Sequence, residues 1–249
     1  MSSSMKRHHA PRLSIIIPAL NEGRTIRGVI SSIPEPVSRF SEILVIDGGS
    51  ADNTASEARR ADARVITDLR KGKGAAMRRG IDEAIAPLCL FLDADGSMNP
   101  AEIGRFLGAM EGRDLVLGSR FIEKVDGRTH VVGNSFMNIF ASALFLRRIT
   151  DINSGFKLIR TAVAKELRLE SAGFEIEAEM LLKVIKHGFR FAEVPITTRV
   201  RVHGNAKLSA IRDGYRIILE ILRVRLLRSY PLPKTRPRRV PRPEKETQE

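Results

Sequence analysis

Asp93 and Asp95 are the residues in this sequence whose type and spacing point most directly to chemistry. They are separated by one residue and follow the apolar run 88–92. Two carboxylates at a strand end can hold one Mg²⁺ or Mn²⁺ and bridge it to a diphosphate, whose charge the ion offsets. Two solvated loop aspartates would give the same short pattern. The preceding buried strand favours the metal site, so we expect Asp93 and Asp95 to be metal ligands and catalytic residues.

Two further polar segments follow predicted strands and are candidates for nucleotide binding. Asp47, in Asp47-Gly-Gly-Ser50, could accept a hydrogen bond from a base N–H while the glycines let a ligand approach the backbone. An ordinary turn is the alternative. Glu22, in Pro18-Ala-Leu-Asn-Glu22, could bind ribose hydroxyls or favour the start of its helix through the helix dipole.

Basic residues near the same predicted edge are candidates for phosphate binding. Lys73, in Lys71-Gly-Lys-Gly74, opens a predicted helix, and a helix N-terminus with lysines attracts anions. A flexible solvated loop is the alternative there. Arg120 follows another strand and could clamp a diphosphate, or simply pair with Asp95. A later loop carries several cations that suit a phosphate acceptor, although solvated basic loops are common: Arg199, Arg201, His203 and Lys207.

Acidic residues also begin a later helix, with Glu175, Glu177 and Glu179 in its first turns. Carboxylates at this position interact favourably with the helix dipole and stabilise the start of the helix. One of them could also orient an acceptor or act as a base. An acceptor phosphate is already anionic near neutral pH, so we assign no general base.

The elements that must position these residues alternate along the first half of the chain. Continuous Val, Ile and Leu runs separated by amphipathic helices predict an α/β fold with a mostly parallel sheet covered on both faces. Ligands bind such sheets at the carboxyl ends of the strands. The predicted strands are Leu13–Ala19, Glu42–Ile46, Arg64–Thr67, Leu88–Leu92, Asp114–Gly118 and Phe189–Ile196, and the principal helices are Glu22–Ile33 (capped by Asn21), Lys73–Ala86, Val131–Arg147, Glu175–His187 and Leu208–Arg228.

Composition sets the domain organisation and the class of partner. The chain has 249 residues, 43% of them hydrophobic, and a formal net charge of +13, which favours a polyanionic partner. We expect a disordered N-terminus over 1–11, one domain over 12–207, an amphipathic membrane-associating helix over 208–229 and a basic disordered tail over 230–249. The lone Cys89 predicts a reducing cytoplasm and a buried thiol. With no signal sequence or membrane-spanning segment evident, any membrane association is expected to be peripheral.

Taken in order, the motifs resemble the dolichol-phosphate mannose synthase-like family, which are inverting family 2 glycosyltransferases with a GT-A fold. The resemblance covers about residues 13–222 and includes four later segments: Gly118-Ser-Arg120, Ser154-Gly-Phe156, Glu193-Val-Pro195 and Gly204-Asn-Ala-Lys-Leu208. Of these, Ser154-Gly-Phe156 and Gly204-Asn-Ala-Lys-Leu208 are the more specific to polyprenyl-phosphate acceptors.

The resemblance implies roles residue by residue. Pro18, Glu22 and Asp47 would contact the nucleoside, Asp93 and Asp95 would hold the metal and diphosphate, and Arg120 would steady phosphate. Arg201 and Lys207 would meet the acceptor phosphate. Ser97 departs from the family, since many members have Gln there as a further metal contact, and this puts metal choice in question. Some relatives also carry carboxy-terminal membrane spans that are not evident here.

We therefore expect a transferase that moves a hexose from a UDP- or GDP-linked sugar to a polyprenyl or dolichyl phosphate, with Mg²⁺ or Mn²⁺, on the cytoplasmic face of an anionic membrane. Which donor is used stays open. A soluble enzyme for a small phosphorylated acceptor, similar to glucosyl-phosphoglycerate synthases, is the alternative. The net charge also suggests a second class of function, a nucleic-acid-binding protein. The aromatic content of 5% and the absence of Trp argue against it.

Overall fold

The computed structural model describes residues 10–122, 131–198 and 210–226. A seven-stranded sheet in order β3-β2-β1-β4-β6-β5-β7 forms the centre of this part of the chain. Its strands are β1 (Leu13–Ala19), β2 (Ser41–Asp47), β3 (Arg64–Thr67), β4 (Leu88–Phe91), β5 (Leu115–Ser119), β6 (Lys157–Arg160) and β7 (Phe191–Pro195).

The sheet is parallel except at β6. β1 pairs in parallel with β2 and β4, β2 with β3, and β5 with β7. β6 runs antiparallel between β4 and β5, with Lys157 opposite both Phe91 and Leu117. The prediction of a mostly parallel sheet is confirmed, and the parallel strands all end at one edge.

Helices cover both faces of this sheet. They are α1 (Ile26–Ser31), α2 (Glu35–Ser38), α3 (Thr54–Arg60), α4 (Lys73–Glu83), α5 (Ile103–Ala109), α6 (Val131–Phe145), α7 (Thr161–Glu166), α8 (Ile176–Lys186) and α9 (Ala210–Leu226), with a 3₁₀ turn at Pro100–Glu102.

The core is divided by the sheet, as the continuous apolar runs require. Along β1, Ile16 packs into one cluster with residues of α4, α8 and α9, whereas Ile15 and Ile17 pack into the other with residues of α1 and α5. Successive side chains of a strand point to opposite faces, so a strand buried on both sides needs apolar residues at every position. Cys89 is fully buried in the first cluster, which confirms the prediction of a buried thiol. Burial raises the pKa of this thiol to about 11.

The first helix differs from its prediction. It begins at Ile26 rather than Glu22, and Asn21 does not cap it. Asn21 has a φ of 52°, and its side-chain oxygen accepts a hydrogen bond from the backbone N–H of Ala51. This residue therefore ties the loop after β1 to the loop after β2 instead of starting a helix.

The C-terminal helix is amphipathic, as predicted. Ile217, Ile221 and Val224 are buried in the core cluster against α6 and α8, while Tyr215 and Leu226 are exposed. Within the described ranges, none of the helices combines the length and apolar character needed to span a bilayer. The expected basic tail over 230–249 and residues 1–9 lie outside the described residues.

Candidate active site

The polar segments predicted from the sequence converge at the carboxyl edge of the sheet. Asp47 is the last residue of β2, Asp93 lies two residues after β4 and Arg120 directly follows β5. Because β6 is antiparallel, it begins at this same edge with Lys157. One edge therefore collects carboxylates and cations from four strands of the sheet, β2, β4, β6 and β5.

Lys73, the first residue of α4, lies between two carboxylates. Its ammonium nitrogen is 2.7 Å from Oδ1 of Asp93 and 2.9 Å from Oε1 of Glu177. Burial lowers the pKa of Lys73, but the attraction of Asp93 and Glu177 outweighs burial and raises it above the usual value. Lys73 is thus a fixed cation beside one of the two predicted metal ligands.

Glu177 is shared with a second lysine. Lys157 is fully buried, and its ammonium contacts Oε2 of Glu177 and donates to the carbonyl of Ser154. Burial lowers the pKa of the Lys157 ammonium, while the two lysines hold the pKa of Glu177 below its usual range despite burial. The sequence presents Glu177 as one of three helix-start carboxylates, any of which could orient an acceptor or act as a base. The structure places it in a row of alternating charges, Lys157–Glu177–Lys73–Asp93, which is buried at Lys157 and Glu177 and partly exposed at Asp93.

The Ser154-Gly155 turn closes against this row. A Cβ atom at Gly155 would lie 2.8 Å from Oδ2 of Asp93 and 2.9 Å from the ammonium of Lys73. A larger residue would displace one of these two groups, so Gly155 is required for the close approach. This is a physical reason for a glycine between Ser154 and Phe156.

Arg120 is paired with Asp151, and the suggested pair with Asp95 is wrong. Its guanidinium donates from Nε and Nη2 to the two oxygens of Asp151, both at 2.7 Å. Asp151 is fully buried and also accepts from the backbone N–H of Arg120. Burial lowers the pKa of Arg120, but these contacts outweigh it and raise the pKa. Asp151 therefore fixes the guanidinium at the carboxyl end of β5.

Asp95 accepts a hydrogen bond of 3.0 Å from the backbone N–H of Ser97. Among the residues that the structure describes, no cluster of three or more His, Cys, Asp or Glu side chains could hold a metal by itself. Mg²⁺ and Mn²⁺ bind carboxylate oxygens as ligands. Mg²⁺ is commonly bound by one or two carboxylates, and its other coordination positions are taken by substrate phosphates and water. The donor chemistry of Asp93 and Asp95 fits such an ion.

The predicted nucleoside residues lie around the ends of β1 and β2. Asp47 is buried and accepts hydrogen bonds from the hydroxyl and the backbone N–H of Ser50. Glu22 is buried too, and Thr25 donates to it at 3.3 Å. Pro18, in β1, lies opposite Ile46 of β2. These residues share one end of the site, which suits a nucleoside, but nucleotide binding by Pro18, Glu22, Asp47, Lys73 and Asp93 stays a prediction.

The N-terminus of α4 differs from the anion site predicted there. The backbone N–H groups of Gly74 and Ala75 both point to the carbonyl of Ala172, at 2.8 and 3.3 Å. Gly72 has a φ of 104°, and a Cβ atom there would lie 2.2 Å from that same oxygen. Because a backbone carbonyl already accepts from these amides, the side chain of Lys73 is the remaining candidate of this segment for phosphate binding, which stays a prediction.

The predicted acceptor-phosphate residues, Arg201 and Lys207, lie outside the described residues, as do Arg199 and His203. Asp151 and Lys157 were missed by the sequence reasoning. Each precedes or follows Ser154-Gly-Phe156 by at most three residues. The acid and the base flanking this segment were the available signal.

Comparison with known proteins identifies the family. The family described as Glycosyl transferase family 2 matches residues 14–168. A relative named glycosyltransferase AglJ, from Haloferax volcanii, is 36% identical over 215 residues, covering 84% of this chain and 70% of the relative. Polyprenol monophosphomannose synthase from Mycolicibacterium smegmatis is 30% identical over 216 residues, covering 80% of this chain and 81% of that protein.

A solved structure with the same fold is that of glucosyl-3-phosphoglycerate synthase from Mycobacterium tuberculosis in complex with Mn²⁺, UDP and glucosyl-3-phosphoglycerate. It has a TM-score of 0.70 at 26% identity and covers 86% of this chain and 80% of its own. The GT-A fold and the resemblance to dolichol-phosphate mannose synthase-like proteins are confirmed, and these relatives support an enzyme rather than the nucleic-acid-binding alternative. The chain belongs to glycosyl transferase family 2.

Proposed function

We propose that the protein is an inverting, metal-dependent hexosyltransferase that moves a hexose from a UDP- or GDP-linked sugar to a polyprenyl or dolichyl phosphate. The observation that carries the proposal is the grouping of Asp93, Lys73 and Arg120 at the carboxyl edge of the sheet in a family 2 chain. A carboxylate for a metal and two cations for phosphate are what a nucleoside diphosphate leaving group needs.

The donor would lie along this edge. Asp47, Glu22 and Pro18 would contact the nucleoside, and Lys73 the diphosphate. Asp93 and Asp95 would hold Mg²⁺ or Mn²⁺, as the Mn²⁺ and UDP bound to the similar glucosyl-3-phosphoglycerate synthase suggest. The ion would act as a Lewis acid that offsets charge on the diphosphate oxygens.

The chain's own residues account for the rest of an in-line displacement. An acceptor phosphate oxygen attacks the anomeric carbon as the bond to the nucleoside diphosphate breaks, so the anomeric configuration inverts. Arg120, fixed by Asp151, stabilises the negative charge that develops on the leaving group. The attacking oxygen is already anionic, so the step needs no general base.

The lipid acceptor is favoured by relatives such as the polyprenol monophosphomannose synthase and by exposed apolar side chains on two adjacent helices. α6 exposes Phe136 and Ile139, and α9 exposes Tyr215 and Leu226. Arg201 and Lys207 would bind the acceptor phosphate, and the basic helix α9 with the tail would attach the enzyme peripherally to the cytoplasmic face of an anionic membrane. Each basic residue near such a surface contributes about 1 kcal/mol.

A radiolabelled sugar-transfer assay tests this proposal. The purified protein receives UDP-glucose, UDP-N-acetylglucosamine or GDP-mannose in turn, with Mg²⁺ or Mn²⁺ and a polyprenyl phosphate. We expect chelator-sensitive label in the organic phase with one of these donors, and its loss in Asp93→Ala and Asp95→Ala. Transfer that persists in both variants would contradict the metal site.

A small phosphorylated acceptor is the second candidate, and the similarity to glucosyl-3-phosphoglycerate synthase is the observation that favours it. The same assay includes 3-phosphoglycerate without lipid or detergent. Label that stays in the aqueous phase with this acceptor, and does not enter the organic phase with polyprenyl phosphate, would replace the lipid by a soluble substrate.

A further inference from the structure

Lys73 contacts the carboxylate of Asp93, which is one of the two predicted metal ligands. Its ammonium lies 2.7 Å from Oδ1 of Asp93, and its side chain is only 13% exposed. The other oxygen of Asp93 faces the tight turn at Gly155. The carboxylate that should bind a divalent cation therefore already has a positive charge against it.

Glu177 and Lys157 keep that charge in place. Glu177 offers one oxygen to each lysine, and both Glu177 and Lys157 are cut off from solvent. A buried carboxylate cannot replace a lost cationic partner with water, so moving Lys73 away from Glu177 is costly. Glu177 therefore holds the ammonium of Lys73 in place on one side, while Asp93 contacts the same ammonium on another.

We propose that Lys73 is a built-in counter-ion, positioned by Glu177 and Lys157, which weakens divalent-cation binding at Asp93 until a nucleoside diphosphate arrives, so that the two ligands bind cooperatively. The identity of these ligands rests on the proposed function.

The charge of Lys73 has opposite effects on the two ligands. A fixed ammonium repels a divalent cation at the same carboxylate, whereas it attracts a diphosphate. The diphosphate in turn supplies negative charge that compensates the ion and Lys73 together. An ammonium has three N–H donors. Asp93 and Glu177 contact it from two directions, so the ammonium can donate a further N–H to a phosphate oxygen without breaking the pair with Glu177.

Mn²⁺ binding measured by electron paramagnetic resonance, with and without UDP or GDP, tests the counter-ion. In the unaltered protein we expect weak Mn²⁺ binding alone and much tighter binding with the nucleotide. Lys73→Met should bind Mn²⁺ alone about tenfold more tightly, because one nearby positive charge is gone. The enhancement by nucleotide should shrink accordingly.

Lys165→Met is the matched control. Lys165 is exposed and lies near the opposite end of α4, where it approaches the carbonyl of Ala84, so it changes the net charge equally without touching the site. We expect its Mn²⁺ affinity to stay at the unaltered value. Lys73→Met should still fold, because Glu177 keeps Lys157 as a partner, and thermal melting checks this.

A double-mutant cycle tests whether Glu177 acts through Lys73. Glu177→Gln should weaken binding of the Mn²⁺–nucleotide pair severalfold in the unaltered background and have little further effect beside Lys73→Met. Should Glu177→Gln not fold, Lys157→Met enters the same cycle. Losses that simply add would show that Glu177 acts independently and would overturn its positioning role.

The outcomes separate the two proposals. If Mn²⁺ and nucleotide bind together to the unaltered protein but Lys73→Met leaves Mn²⁺ affinity unchanged, the counter-ion is wrong and the proposed function stands. If neither UDP nor GDP binds with Mn²⁺ at all, the proposed function fails and the counter-ion fails with it.

Discussion

Asp151 determines where the guanidinium of Arg120 lies, although Asp151 is itself fully buried. The two oxygens of Asp151 accept from two nitrogens of one planar group, which fixes both its position and its orientation. A phosphate ligand placed by Arg120 therefore depends on a residue that would not contact it.

Asp151→Asn should lower kcat by about 10- to 100-fold, since small misplacements of a catalytic group have effects of this size. The amide keeps the shape of the side chain but loses the charge and one acceptor. Asp82→Asn is the control, because Asp82 is an exposed aspartate of α4. Steady-state kcat and KM for both variants check the prediction. A kcat for Asp151→Asn equal to that of the control would show that transfer does not depend on this pair.

At the residue scale the sequence predicted which groups reach the edge but not how they pair. Asp93, Asp95 and Arg120 follow predicted strands, and parallel strands bring such residues together. The pair of Arg120 with Asp151 spans 31 positions along the chain, and that of Lys73 with Glu177 spans more than 100. Contacts of this kind depend on the packing of α8 and the position of β6, which local patterns do not encode.

At the element scale the strand β6 is the main feature that the sequence did not predict. Lys157–Arg160 has two apolar residues between two basic ones, which is too short for a periodic signal. Its insertion between β4 and β5 nevertheless places Lys157 at the site. The parallel strands were predictable because burial on both faces requires long apolar runs. β6 was not predictable, because it becomes a strand through its pairing with β4 and β5 rather than through a pattern of its own.

The contact between α4 and the loop before α8 should tolerate no side chain at Gly74. A Cβ atom there would lie 2.2 Å from the carbonyl oxygen of Ser171, a backbone atom that cannot rotate away. Gly74→Ala should destabilise the fold by about 1–3 kcal/mol. Gly108→Ala, in α5 with open space around it, should stabilise by about 0.5–1 kcal/mol instead. Urea unfolding compares the two, and equal stabilities would contradict the close packing.

The seam between α8 and α9 contains a carboxyl group that should make stability depend on pH. Burial, together with repulsion from Glu179 and Glu175, raises the pKa of Glu220 from 4.5 to about 7, against the attraction of Arg223 and Lys183. The folded state then holds a proton that the unfolded chain has released. This group therefore costs nothing below pH 4.5, and its cost grows as pH rises to about 7.

Glu220→Gln should remove this cost. Relative to the unaltered protein, the variant should gain about 1 kcal/mol at pH 8, a value that allows for partial solvent screening, and little or nothing at pH 4.5. Urea midpoints at the two pH values measure the difference, and comparing the two proteins cancels the titration of all other groups. A gain that is the same at both pH values would show that Glu220 does not titrate in this range.

At the scale of the whole molecule, the net charge of +13 and the exposed apolar residues of α6 and α9 both favour an anionic membrane as the partner. Positive charge would attract the protein to an anionic leaflet, and apolar side chains on neighbouring helices could enter the interface of that leaflet. Neither property is needed to hold a nucleotide at the carboxyl edge of the sheet. The surface of the molecule thus favours a membrane partner, and the edge of its sheet favours the transfer reaction.

Binding to lipid vesicles separates these two contributions. We expect sedimentation with vesicles containing anionic lipid, weaker binding to neutral vesicles, and a marked loss between about 0.05 and 0.5 M salt, as the Debye length shortens. Ile139→Asp on α6 should weaken binding about tenfold or more, because a charge replaces a 70% exposed apolar side chain. Ile85→Asp removes an equally exposed isoleucine just before β4, at the other edge of the sheet from the site, and should bind like the unaltered protein. If both variants bind equally, the protein has no oriented membrane face, and the acceptor would have to reach the site without one.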